Sequence, residues 1–214
     1  MRPSAIRLPL AAVAIAAALT GCGGSDSPQA TEPSADPGST SAAASPTFAP
    51  EDVCPPKLPR DDDPEDHGFG AQEDARQEPS LPAPEQAWTC QYDAVDAGQT
   101  PDGGTEFAWV LHGTAAEVAE PELGAFASAL DRVQPYPRSD RMCTQELGPR
   151  WLVVYPGSDG LIGVVVDDFG CREVRLTDDP ATTPPGAGDG DGTVPGVLDG
   201  GTEVLTALGL GRAG

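Results

Sequence analysis

The 214-residue chain has little positive charge, few aromatic side chains and no asparagine. Its 12 lysine and arginine residues face 34 acidic residues, so the formal net charge is -22 at pH 7, and Lys57 is the single lysine. This charge argues against nucleic acid as a partner, because a phosphate-binding protein needs a basic surface. Without asparagine there is no acceptor for N-linked sugars. The 26 glycines and 24 prolines predict long irregular stretches around a modest core.

The sequence also lacks an apolar run long enough to span a membrane. Its most continuous one, residues 8–19, has 12 residues, whereas a membrane-spanning helix needs about 20. Arg2 and Arg7 accompany this run with no acidic residue nearby, which is the arrangement of a secretory signal peptide. We therefore expect residues 1–21 to be a signal peptide and expect no transmembrane segment.

A cysteine follows the apolar run directly, in the segment Leu19-Thr20-Gly21-Cys22. This segment resembles the lipobox of bacterial lipoproteins, which implies that Cys22 is lipid-modified and begins the mature chain. Two acyl chains anchor a protein stably, whereas one gives only marginal binding. The resemblance implies a protein held on the extracytoplasmic side of the cell membrane. An ordinary secretory signal with a chance cysteine is the alternative.

Residues 22–50 have the composition of a disordered tether after the lipidated cysteine. They are rich in serine, proline, alanine and glycine, and Phe48 is their one large apolar side chain. Such a segment cannot bury enough apolar surface to offset its ordering entropy. As a flexible chain it would span roughly 30 Å. We expect a spacer through the cell wall, and O-linked sugars on it are a compatible alternative.

Four further cysteines predict two disulfide bonds in the remaining domain, residues 51–214. The compartment outside the membrane is oxidising and permits disulfides. Three pairings are possible, and we prefer Cys54 with Cys90 and Cys143 with Cys171. Each bond would close a loop of roughly 30–40 residues and contribute about 3.5–4 kcal/mol. Zinc is the competing use of cysteine, but the chain has two histidines and no C-x-x-C spacing.

Two loops carry many acidic residues or glycines. We expect residues 61–80 to be a solvated acidic loop anchored by Phe69 and by the Cys54–Cys90 bond, and residues 178–196 to be a flexible loop. Calcium binding is the alternative in both. The first loop lacks the residue order of a calcium loop. Residues 186–194 contain one GDGDG segment, whereas repeat-type calcium turns need stacked copies.

Alternating apolar residues predict a β-hairpin and then a helix. The pattern of Trp88, Cys90 and Tyr92 indicates one strand, and the pattern over residues 107–111 indicates a second. The segment after Pro121 has helical periodicity, and its apolar face consists of Leu123, Phe126, Ala127 and Leu130.

The most apolar part of the sequence predicts a three-stranded meander over residues 151–155, 161–167 and 172–176. The first of these strands is apolar on both faces and should be central and covered. Residues 202–208 predict a short terminal helix. The expected fold is a single α+β domain, a small antiparallel sheet with one main amphipathic helix on one face. Three tryptophans at strand positions should be core residues: Trp88, Trp109 and Trp151.

Candidate catalytic residues are scattered. Asp168-Phe169-Gly170 spells a kinase motif without its companion motifs, and Ser158 lies in a turn that is not a nucleophile elbow. His67 lies in the acidic loop and His112 at a strand end. Asp167 and Asp168 are adjacent, so on a strand they would point to opposite faces, and we expect a polar turn. We assign no catalytic residue, no metal and no cofactor.

The cysteine-containing segments together carry a wider resemblance. They are a C-P pair at Cys54, a W-x-C-x-Y segment from Trp88, a C-T-x-x-x-G segment from Cys143, an apolar hairpin and a G-C-x-x-V segment from Gly170. Over residues 52–178 the chain resembles uncharacterised lipoproteins and secreted proteins of high-GC Gram-positive bacteria. The resemblance supports the disulfides and implies no activity.

These features predict a lipid-anchored, non-enzymatic binding or cell-envelope interaction module. Its partners would be the membrane, through Cys22, and an envelope protein or cell-wall component. A small secreted hydrolase is one alternative, and an accessory solute-binding lipoprotein is another. The ordered part is small for the two lobes that solute-binding proteins close on a ligand.

Overall fold

The structure, a computed structural model, describes residues 48–60, 68–135, 142–144 and 146–211. The predicted signal peptide, Cys22 and nearly all of the predicted tether lie outside these residues. The described residues form three helices and seven strands. In chain order these are α1 (Pro50–Val53), β1 (Trp88–Gln99), β2 (Thr105–Glu117), α2 (Glu120–Leu130), β3 (Gln134–Pro135), β4 (Arg150–Pro156), β5 (Leu161–Asp167), β6 (Val174–Thr177), β7 (Val197–Asp199) and α3 (Gly201–Ala207).

The predicted hairpin is present as β1 and β2, which pair antiparallel with Tyr92 opposite Leu111. Both strands are longer than the sequence pattern indicates, with 12 and 13 residues. Two register shifts interrupt the pairing, one between Thr89 and Gln91 and one between Asp96 and Gly98. The residues that extend the strands beyond the pattern, 93–99 in β1 and 112–117 in β2, are mostly exposed or half-buried, so they have no apolar alternation that could reveal the full length.

The predicted meander is also present, as β4, β5 and β6. Its third strand begins at Val174 instead of residue 172. The reason is local, because Gly170 and Arg172 both have left-handed backbone conformations, with φ of 57° and 54°. Such residues form the turn out of β5 and cannot continue an extended strand.

Hairpin and meander belong to one seven-stranded antiparallel sheet with the order β2-β1-β4-β5-β6-β7-β3. The pairing of β1 with β4, which sets Cys90 opposite Leu152, joins them. The α+β class is therefore confirmed, but the expectation of a small sheet was wrong. The two strands that the sequence did not reveal, β3 and β7, have two and three residues. Pro135 at the end of the sheet is in the edge position that proline tolerates.

The sheet is covered on both faces, as the doubly apolar β4 requires. Val153 and Tyr155 of β4 belong to one core cluster, the helix-side core, which includes buried residues of α2 and α3. Leu152 and Val154 belong to a second cluster, the aromatic core cluster, which contains Trp88, Trp109 and the Cys54–Cys90 pair. The predicted helix on one face is confirmed, and α3 packs beside it.

Both longer helices lie where the sequence places them. α2 starts at Glu120 and buries Phe126, whose ring meets the Tyr155 ring edge-on at 5.9 Å. Ala129 is more deeply buried than Ala127, so the buried face is slightly rotated from the predicted one. α3 is followed by Gly209 at φ 62°, a left-handed residue that ends the helix. Within the part of the chain that the structure describes, no helix is long and apolar enough to cross a membrane.

Residues 178–196 contain no helix or strand, as expected for a loop, but many of their groups are bonded to the domain. The Gly186 N–H donates to the Leu176 carbonyl at 2.8 Å, and the Ser80 N–H donates to the Gly192 carbonyl at 2.8 Å. Val194 is buried in the helix-side core. The loop therefore packs over β6 and against the end of the acidic loop.

Candidate binding site

Three charged residues on neighbouring strands form a buried ion network. Arg150 on β4 lies opposite Asp167 on β5, and Arg175 is on β6. Their relative exposures are 1%, 4% and 1%. One Asp167 carboxylate oxygen accepts from Arg150 Nε at 2.5 Å and the other accepts from Arg175 Nη1 at 2.8 Å. Glu173 accepts from Arg175 Nη2 at 2.6 Å, so two acids balance two guanidinium groups.

The network lies on the same sheet face as the aromatic core cluster. The Arg150 guanidinium carbon is 4.2 Å from the centre of the Trp109 ring. The Trp109 and Phe169 rings are stacked, with centroids 5.7 Å apart and planes 5° apart. The cation–π contact and the ring stacking let the aromatic rings pack directly around the buried ions, in place of water.

The two arginines also fasten part of the acidic loop to the sheet. Arg150 Nη2 donates to the Phe69 carbonyl at 2.9 Å, and Arg175 Nε donates to the Ala71 carbonyl at 2.8 Å. Trp109 Nε1 donates to the Gly68 carbonyl at 3.0 Å. The sequence predicted only Phe69 and a disulfide as anchors for residues 61–80, so these backbone contacts are an addition. Residues 61–67 of that loop lie outside the described residues.

Burial and charge act in opposite directions on the two guanidinium groups. Burial lowers the pKa of Arg150, although Asp167 opposes it, and the positive charge of Arg175 lowers it further. Burial also acts to lower the pKa of Arg175, but Asp167 and Glu173 outweigh burial and the net direction is upward. Arginine remains protonated in either case. The two guanidinium groups are therefore fixed positive charges.

A cavity of about 360 Å³ opens beside this network. That volume is within the usual range of ligand pockets, roughly 300–1,000 Å³. Its apolar lining comes from three phenyl rings and Leu147, and its charged lining includes Glu146, Glu173 and Arg175. The three rings belong to Phe69, Phe107 and Phe169. The rings of Phe69 and Phe107 are 6.0 Å apart, so they meet at one side of the cavity.

One of the two disulfides borders the cavity. Cys143 and Cys171 are bonded, with Cα atoms 4.9 Å apart, and both line the cavity. Gly148 lies five residues after Cys143 in the sequence, and a Cβ added to it would lie 2.9 Å from the Asp168 carbonyl oxygen. The chain from residue 146 to 149 therefore runs tight against the turn after β5. The bond holds this segment at the mouth of the cavity.

The other disulfide lies in the aromatic core cluster. Cys54 and Cys90 are bonded, with Cα atoms 6.0 Å apart, and this bond fixes the segment after α1 against β1. The Tyr92 hydroxyl donates to the Pro55 carbonyl at 2.7 Å beside it, and burial raises the pKa of that hydroxyl. Both pairs are the ones that we prefer from the sequence.

Asp167 and Asp168 do not form an acid–base pair. The expectation that both belong to a polar turn was wrong for Asp167, which is the last residue of β5 and is buried between two arginines. Asp168 is in the turn but is also buried, and its nearest cation is Arg172 Nη2 at 3.7 Å. The two carboxylates therefore have different arginine partners.

His112 and Ser158 are not brought together by hydrogen bonds. His112 is exposed on β2, and its Nδ1 is 2.8 Å from an Asp93 carboxylate oxygen. The Ser158 hydroxyl, in the turn between β4 and β5, donates to the Asp191 carboxylate. His67 lies outside the described residues. The prediction of core tryptophans is confirmed for two, and the third, Trp151, is half-buried against the helix-side core.

The acids of the 178–196 loop bind backbone N–H groups. An Asp178 oxygen accepts from the Gly190 N–H at 2.9 Å, and this bond with its neighbours lowers the pKa of Asp178 despite partial burial. The Ser158 hydroxyl, chiefly, lowers the pKa of Asp191. Across the described ranges, no group of three His, Cys, Asp or Glu side chains is placed to hold a metal ion.

The cavity thus combines a concave shape, three phenyl rings and a charged wall that the buried network supports. Its residues come from the acidic loop, β2, the segment around Cys143 and the segment that runs from the end of β5 into β6. Comparison of the chain with protein-family models, with curated proteins and with solved structures finds no match.

Proposed function

We propose that the protein is a lipid-anchored extracytoplasmic binding module, and that its binding site is the cavity beside the Cys143–Cys171 bond. The observation that carries this proposal is the cavity of about 360 Å³ lined by three phenyl rings and a few charged groups. Ligand sites are typically concave and mostly apolar, with a small number of placed polar groups.

Three parts of the cavity wall are held by contacts within the protein, which favours binding. Phe69 is held through its own carbonyl by Arg150, and Phe169 is stacked on the buried Trp109 ring. Cys171 is bonded to Cys143 at the mouth. A site whose side chains are already ordered loses less conformational entropy on binding, so weak contacts suffice for useful affinity.

The proposed anchor supports a role in contact at the cell surface. The lipobox-like segment ending at Cys22 would place two acyl chains in the membrane. A tether of residues 23–50 would let the domain sample a layer of roughly 30 Å. Confinement to such a layer raises the effective concentration of the site toward envelope partners.

The placement of His112 and Ser158 favours contact over hydrolysis. In nucleophilic catalysis a base must lie within hydrogen-bond reach of the nucleophile. Here His112 pairs with Asp93 on β1, whereas Ser158 pairs with Asp191 in a distant loop segment. Each of the two residues is engaged by its own acid.

Complementation of a gene deletion tests the proposal. Leu147 lines the cavity and is 38% exposed, and Val95 on β1 is 40% exposed without lining it. We expect Leu147→Arg to lose the function that the intact gene restores, because a long charged side chain obstructs the cavity. The matched variant Val95→Arg should retain it.

Two further variants separate binding from catalysis. We expect His112→Ala and Ser158→Ala to restore the phenotype at normal protein abundance. If either variant fails to restore the phenotype while the folded protein is still present, the contact mechanism is contradicted and a hydrolase is favoured.

The proposed anchor has its own test. Mass spectrometry of the mature protein should show a lipid-modified Cys22, and Cys22→Ala should release the protein or stop its processing.

A further inference from the structure

The cavity lining contains aromatic rings and one acid, Glu146, beyond those of the balanced ion network. Three of its lining residues are acids, Glu146, Asp167 and Glu173, and one is a base, Arg175. Counting Arg150, which lies behind the wall and pairs with Asp167, acids still outnumber bases. The whole chain has a formal charge of -22, so the surrounding field also attracts cations.

The positive charges at the cavity are already engaged by the protein. Arg175 donates to Asp167, to Glu173 and to the Ala71 carbonyl through its three nitrogens. An anionic ligand would have to compete with these partners and would face Glu146 at the exposed rim. The arrangement therefore disfavours an anion.

A hard metal ion is also a poor match for this lining. Both carboxylate oxygens of Asp167 accept bonds from buried arginines, so they are not turned toward a metal. Phenyl rings supply no oxygen ligand, whereas ions such as Ca²⁺ take six to eight oxygen ligands. Phenyl faces do attract organic cations, through the negative face of the ring.

We infer that the cavity binds an organic cation, that is, an ammonium group attached to an apolar body. The phenyl rings of Phe69, Phe107 and Phe169 would contact the ammonium and its apolar part, and Glu146 would supply the opposing charge at the rim. This inference rests on the proposed function, because it names the ligand class of the same cavity.

Three aromatic probes of different charge test the ligand class. They are benzyltrimethylammonium, benzyl alcohol and phenylacetate, titrated calorimetrically into the full lipoprotein in a nonionic detergent, with empty micelles as the blank. We expect the cation to bind at least about tenfold more tightly than the neutral and anionic probes. Its affinity should fall as salt is raised, because salt screens exposed charges.

Variants locate the binding. Phe107→Leu keeps apolar bulk and removes a ring, and we expect about two- to fivefold weaker binding of the cation, the usual size of an exposed cation–π contact. Glu146→Gln should weaken it by up to about fivefold, the size of an exposed ion pair. Glu203→Gln removes an exposed acid on α3, outside the cavity, and should leave the affinity unchanged.

The contradicting outcomes are distinct from failure of the proposed function. Equal or tighter binding of benzyl alcohol or phenylacetate would overturn the cationic class and leave the cavity as a binding site. Binding of the cation that neither Phe107→Leu nor Glu146→Gln weakens would place it elsewhere and overturn the inference. If none of the probes binds, the inference is also overturned. The proposed function is tested separately, by whether Leu147→Arg complements the gene deletion.

Discussion

Replacing Asp167 with asparagine should destabilise the domain more than any exposed charge change. Asp167 is the shared acid of Arg150 and Arg175, and all three side chains are almost completely buried. An asparagine has one acceptor oxygen, so its amide nitrogen would face a guanidinium group, donor against donor. Of the acids that pair with these two arginines in the described part of the chain, Glu173 alone would remain.

The expected cost follows from this burial. Removing one partner of a buried ion network costs about 3–5 kcal/mol, because an uncompensated charge stays in the interior. Domains are stable by roughly 5–15 kcal/mol, so a large share of the stability is lost. At about 2–4 °C per kcal/mol for a domain of this size, the melting temperature should fall by about 10 °C.

Urea unfolding followed by tryptophan fluorescence measures this loss, with the disulfides intact. Asp93→Asn is the matched control, because Asp93 also pairs with a basic side chain but is 49% exposed. It should cost less than about 1 kcal/mol. If Asp167→Asn does not fold, Glu173→Gln takes its place in the measurement. It removes one partner of Arg175 and should cost about 1–2 kcal/mol, between the costs of the other two variants.

Hydrogen exchange gives a second measurement of the same prediction. Since Arg150 and Arg175 also hold the carbonyls of Phe69 and Ala71, amides of residues 68–72 should exchange faster in Asp167→Asn. A cost within about 1 kcal/mol of the Asp93→Asn control, together with unchanged exchange in residues 68–72, would refute the role assigned to the network.

Three other changes have expected outcomes. Replacing Cys143 and Cys171 with serine should lower the unfolding free energy in urea by about 3.5 kcal/mol, since their bond closes 28 residues. Gly192→Ala should destabilise clearly more than the roughly 1 kcal/mol expected for Gly113→Ala, because both have positive φ but only at Gly192 would a Cβ meet a backbone carbonyl. The lowered pKa of Asp191 contributes stability that is present above its unfolded value of about 3.9 and lost as pH falls through the lower folded value. The protection of amides 188–193 against hydrogen exchange, taken relative to the intrinsic exchange rate at each pH, should therefore fall in acid. Asp191→Asn should remove that acid response, and an unchanged response would contradict its assignment.

The elements with local periodicity were predictable from the sequence. Alternation in β1, the apolar runs of β4 and β5 and the 3.6-residue period in α2 are properties of short segments, so the hairpin, meander and helix could be placed. The full sheet could not, because the pairing of β1 with β4 joins segments about 60 residues apart. β3 and β7 are too short to contain a repeat.

The buried network left a signal that pattern analysis can use. Arg150 is in phase with Leu152 and Val154, which face the aromatic core. Arg175 gives no such signal, because it alternates with Val174 and Leu176 of the other core cluster, as a solvent-facing residue would. A charged residue in phase with buried positions indicates a buried pair, because such residues are almost never buried alone. The cavity left no comparable signal, since its walls come from four distant segments.

Photocrosslinking on intact cells tests most directly whether the cavity is the contact site. A photoreactive residue is placed at Leu147, at the cavity, or at Val95, on the exposed hairpin. After irradiation the protein is purified and its mass is measured by mass spectrometry. If the cavity is the binding site, the probe at Leu147 gives a discrete adduct of defined mass and the probe at Val95 does not. No adduct at Leu147, or the same adducts at both positions, would contradict a binding site at this cavity.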